Sequence, residues 1–137
     1  MSSPPNTGGF DNPAQLVLKA LIDLSIREEA SLVIIAGDFF DHNGVDATTV
    51  ELAIQELLRA LGPIVILPGN HDCLVPDSIY QQTCFSKLAP NIRVFTALEG
   101  QRFSFPELQL SIWGKPINTY SGNFRPMAGI PPRSSER

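Results

Sequence analysis

Histidine and cysteine are scarce in this chain. Its 137 residues include only two of each: His42 and His71, Cys73 and Cys84. The spacing of Cys73 and Cys84 matches no zinc or thiol-redox signature, so two free thiols in a reducing compartment are expected. Long apolar runs are missing as well. None approaches the roughly 20 residues that cross a bilayer. The opening "MSSPPNTGGF" has no charged segment followed by an apolar one, so it is not expected to be a secretory signal. These absences point to a cytoplasmic protein with no membrane partner. A basic surplus is lacking too: 10 Lys and Arg stand against 14 Asp and Glu, a formal net charge of −4. No overall positive field gathers nucleic acid, although bound cations would supply local positive charge and leave such a substrate open.

What is present is a globular composition, 43% hydrophobic and 18% charged, at the length of one ordinary domain. Residues 1–10 read as a loose lead-in, 11–116 as the domain, and 117–137 as a Pro/Gly-rich loop and tail. Asp11 or Asn12 would cap a first helix with Pro13 in its first turn. Leu16, Val17, Ala20, Leu21 and Leu24 recur at helical spacing and predict its buried face. "SLVIIA" at 31–36 is a short β-branched run, the mark of a strand covered on both faces. A second helix is predicted over 47–62, with Val50, Ile54, Leu57, Leu58 and Leu61 as its stripe. A second strand follows at "PIVILP", a shorter third helix at "DSIYQQTCFSKLAP" and a third strand at "IRVF". The alternation implies a parallel three-strand βαβ core with right-handed crossovers. After residue 100 the pattern changes to period two around "RFSF" and "LQLSIWG", an antiparallel hairpin.

The chemistry gathers at two strand ends. "GDFFD" at 37–41 closes the first strand and "GNHD" at 69–72 closes the second. Ligands of open α/β sheets bind beyond the carboxyl ends of strands, and neighbouring parallel strands would bring Asp38 beside Asn70, His71 and Asp72. Gly37 and Gly69 allow the sharp turn and the close approach. A carboxylate, an amide oxygen and an imidazole suit hard or borderline divalent cations, and an imidazole can protonate a leaving oxygen.

"VIIAGDFFDHN" and "VILPGNHD" together resemble the second and third signature blocks of the calcineurin-like metallophosphoesterases, most closely the branch of DNA-repair exonucleases and related bacterial phosphoesterases. The resemblance spans about residues 11–116. It implies hydrolysis of a phosphate ester, of the phosphodiester or nuclease kind and with DNA among the candidate substrates, by water activated between two divalent cations, manganese or another transition metal. It further implies that Asp38 bridges the cations, Asn70 binds the second, His71 contacts the scissile phosphate and acts as acid, and Asp72 orients His71. Gly37 and Gly69 match the turn glycines. Asp41 has no firm metal role and is read as structuring the loop around the ligands.

The chain departs from the pattern in two places. No Asp-x-His pair precedes the first helix, and no histidine follows His71, so the later histidine blocks have no counterpart. The expectation is an incomplete copy, which a truncated gene, a split gene or a mis-called start would each produce. Such a chain would be incomplete for catalysis on its own. Two alternatives stay open: a non-catalytic remnant or interaction module that keeps the fold without the metals, and a partner chain that supplies the missing ligands. Loss of a neighbouring strand would also leave an exposed edge beside "SLVIIA".

Overall fold

The computed structural model of the chain describes residues 13–40, 42–81, 91–119 and 122–132. Helix α1 (Pro13–Arg27) leads into strand β1 (Val33–Ala36), helix α2 (Ala47–Leu57) and strand β2 (Ile64–Leu67). A single 3-10 turn at Ile79–Gln81 follows, then β3 (Ile92–Val94) and a hairpin of β4 (Gln101–Phe105) and β5 (Leu110–Gly114). The mixed α/β class is as expected: a parallel sheet in the order β1-β2-β3, and a separate antiparallel pair β4-β5. A 3-10 turn at Pro106–Leu108 closes the hairpin, with Gln109 left-handed at φ 51°.

The parallel strands are short and β-branched, and they differ in how far they are covered. One face of the sheet meets Ile22, Val50, Ile54, Leu57, Ile79 and Tyr80 in the larger core. The opposite face, through Val65 and Phe95, meets Phe105 and the half-buried Phe103 and Ile112 of the hairpin. The Arg93 guanidinium lies 5.7 Å from the Phe103 ring centroid and 5.0 Å from that of Phe105, fastening β3 to β4. β2 is therefore buried on both sides, as its unbroken apolar run requires. β1 alternates instead, with Ile34 and Ala36 exposed, and among the described residues it pairs with β2 alone.

The first two predicted helices form, but their stripes need correction. Leu16, Val17, Leu21 and Leu24 are 41–58% exposed, whereas Ile22 is 1% exposed. The helix packs through Leu18, Ile22 and Ile26, a second apolar row on nearly the opposite side. Periodicity finds both rows and cannot choose between them; the sheet takes the second. α2 stops at Leu57, five residues short of the predicted end, so Leu58 and Leu61 leave the stripe and face outward. Its start is well defined: Asp46 caps it by accepting from the Thr49 N–H at 2.8 Å. Hydrogen bonding from Thr49, its side chain first and then this N–H, holds the Asp46 carboxyl below its ordinary pKa. Arg59 donates to both Glu56 and Asp23, tying α2 to α1.

Of the stretch predicted as a third helix, the described part holds a 3-10 turn at Ile79–Gln81; residues 82–90, including Cys84, lie outside the described residues. So do 1–12, with the expected lead-in and cap, and Asp41. Residues 117–119 and 122–132 contain no helix or strand. No described helix is long and apolar enough to cross a membrane.

Candidate active site

Strand register sets the site. Ala36 pairs with Leu67, so Gly37-Asp38 and Pro68-Gly69 leave the sheet side by side. The first loop turns at once: Gly37 has φ 90° and Asp38 φ 52°. The left-handed region is open to glycine but costs an aspartate on the order of 1 kcal/mol. Asp38 is held there by the second loop, because its Oδ1 accepts the His71 backbone N–H at 3.0 Å. The two loops touch where side chains would not fit. A Cβ on Gly69 would overlap the Asp38 backbone nitrogen and Oδ1, and would stand 2.9 Å from Gly37 Cα.

Four of the seven residues singled out from the sequence therefore form the rim: Asp38, Asn70 and His71, with Gly69 against them. His71 Nδ1 lies 3.4 Å from Asp38 Oδ2, and the side chains are 63% and 43% exposed. The Asn70 amide, with its nitrogen turned inward, donates to both Asp38 oxygens at 3.0 Å. Gly37 supplies the turn behind this rim.

Asp72 lies behind the rim, fully buried. Its Oδ1 accepts from the Gly69 N–H at 2.8 Å. Its Oδ2 accepts from the Phe39 N–H at 3.0 Å, the Phe40 N–H at 3.3 Å and the Tyr80 hydroxyl. A buried carboxylate requires such donors. The expected role was to orient the His71 ring. The hydrogen bonds described for Asp72 go to the loop backbones and Tyr80, and the carboxylate beside the imidazole is Asp38. Through these bonds Asp72 holds the loop that carries His71.

Two residues of this inner layer escaped the sequence reading. Tyr80 is buried against Phe40, ring centroids 6.1 Å apart. Burial first, then its bond to Asp72 and the charges of Asp72 and Asp38, push its phenol far above the ordinary range. Asn43 donates to the Cys73 carbonyl at 3.0 Å and accepts from the Ile79 N–H at 3.2 Å, joining both loops to the 3-10 turn. Asn43 stands two residues past the "GDFFD" block, which is the one signal available for it; Tyr80 lies in a stretch whose pattern reads as helix. Cys73 is a buried free thiol. His42 is exposed, its Nδ1 accepting the Gly44 N–H at 3.0 Å. Phe39 and Phe40 pack edge to face at 4.6 Å, and Phe40 is core.

The resemblance implies two divalent cations. The Asp38–Asn70 corner has the right chemistry for one: with the Asn70 oxygen turned inward, three oxygens would converge, which only a cation makes favourable. Beyond it the supply ends. Among the described residues no group of three or more His, Cys, Asp or Glu side chains is placed to hold a metal ion. One carboxylate, one amide and one imidazole do not fix two cations at a set separation, so the described residues do not fit the pair.

A family model described as calcineurin-like phosphoesterase matches residues 7–131. Searches of curated proteins and of solved structures give no match.

Proposed function

The chain belongs to the calcineurin-like phosphoesterases, hydrolases of phosphate esters whose members normally bind divalent metals, and from that premise we propose that it carries one half of a phosphodiester-cleaving centre. Asp38, Asn70 and His71 form that half. The remaining donors come from outside the described residues or from a second polypeptide. The observation that carries this reading is the contact across the two loops: the His71 N–H on Asp38 Oδ1 at 3.0 Å, with the ring 3.4 Å from the other oxygen. An imidazole held beside a carboxylate, at the mouth of two strand ends and open to solvent, is placed to give a proton to a departing oxygen. A nuclease-like substrate, DNA among the possibilities, is proposed on the motif resemblance.

The test is hydrolysis of bis-p-nitrophenyl phosphate by the full chain with added manganese, against a manganese-only control. Turnover above the control is expected to fall at least about 100-fold in His71→Ala and in Asp38→Asn, the usual scale for losing a general acid. Turnover that survives both changes overturns the site assignment.

A second reading, a binding module that keeps the fold without catalysis, draws support from the small donor set. It gains if hydrolysis stays at the control level and calorimetry finds no cation bound. Stoichiometric binding of two manganese ions by the isolated chain would remove it.

A further inference from the structure

Asp72 is the point where three separate segments meet. The loop after β1 gives it the Phe39 and Phe40 N–H groups, the loop after β2 gives Gly69 N–H, and the 3-10 turn gives the Tyr80 hydroxyl. The first two segments carry the rim groups. The third carries none, and it is anchored in the larger core, where Ile79 and Tyr80 are both buried.

We propose that Tyr80 is a positioning residue of the candidate active site, its hydroxyl fixing the Asp72 carboxylate in the orientation that spans both strand-end loops and so sets Asp38 against His71. The geometry argues for this in two steps. The terminal torsion of an aspartate is broad, so three backbone donors on two loops leave the carboxylate free to turn with them. A donor from a packed ring, arriving from a third element, removes that freedom. The same turn is fastened a second time by Asn43, which accepts from Ile79 N–H and donates to the carbonyl of Cys73, next to Asp72. The turn, the first loop and the second loop are thereby closed into one unit. Only beyond that unit do exposed groups begin: Asp38, Asn70 and His71. The phenol remains protonated, and so remains a donor, because burial and the neighbouring carboxylates disfavour its anion.

The inference takes from the proposed function only that Asp38 and His71 line the site, and its test needs no turnover, so either can fail without the other. Tyr80→Phe removes one oxygen and keeps the ring. In nitrogen-15 spectra of the full chain, the amide signals of Phe39, Phe40, Gly69 and His71 are expected to shift together. Their hydrogen exchange should quicken roughly three- to tenfold, the scale of one lost hydrogen bond. Ile79→Val disturbs the same turn without touching the carboxylate and should leave these four amides in place. Adding Tyr80→Phe to Asp72→Asn should change nothing further at Phe39 and Phe40. Shifts confined to residues against the Tyr80 ring, or the same four-amide pattern in Ile79→Val, would overturn the proposal and reduce Tyr80 to core packing. Should Asp72→Asn not fold, the comparison of Tyr80→Phe with Ile79→Val decides alone.

Discussion

Two aspartates in adjoining motifs have opposite fates. Asp38 is exposed beside an imidazole, and Asp72 is sealed under four donors. Spacing could not separate them, since each closes a Gly-Asp or His-Asp step after an apolar strand. The residues at the rim were legible because acid, amide and imidazole after a buried strand are rare without a reason. The inner layer was not, because a tyrosine or an asparagine carries no mark of the partner it will meet across the fold. The phenol of Tyr80 makes the difference measurable. In the unfolded chain it ionises near its ordinary value of 10.0 and in the folded chain well above it. Below pH 10 both states keep the proton and the contribution to stability is complete. Above it the unfolded state alone loses the proton, and stability falls by about 1.4 kcal/mol per pH unit for this one group. Urea midpoints are expected to show wild type ahead of Tyr80→Phe at pH 8, with the gap closing by pH 11.

At the scale of elements, strands were read more surely than helices. Short runs with two or three β-branched residues leave little choice for the parallel strands, and all three of them and the hairpin stand where expected. α1 illustrates why a helix is harder. It has one apolar row through Leu18, Ile22 and Ile26 and another through Leu16, Val17, Leu21 and Leu24, and either satisfies the 3.6-residue period. The choice is made by the contact with α2 and the sheet, which is information of the fold. It has a direct check in chemical denaturation. Ile22→Ala should cost about 3 kcal/mol, as a cavity in a packed core does. Leu21→Ala, on the same helix and of similar size, should stay within about 0.5 kcal/mol, as for a surface change. The reverse order would mean that the first row is the packed one.

At the scale of the whole molecule, the described residues stack a hairpin, a parallel sheet and two helices, with polar groups set where two strands end. Its family was legible from two short blocks, whereas the extent of its donor set was a matter of counting histidines. The layered construction behind those blocks has a bearing on how the protein behaves when stripped. The loops are latched to each other by Asp72, Tyr80, Asn43 and the backbone, all parts of the polypeptide itself. Prolonged dialysis against a strong chelator should therefore leave the melting curve where it was. A fall of several degrees would mean that the scaffold leans on an ion. Without such a fall, the protein behaves as a mould cast before the pour: whatever comes to the mouth of the strands finds the shape already standing.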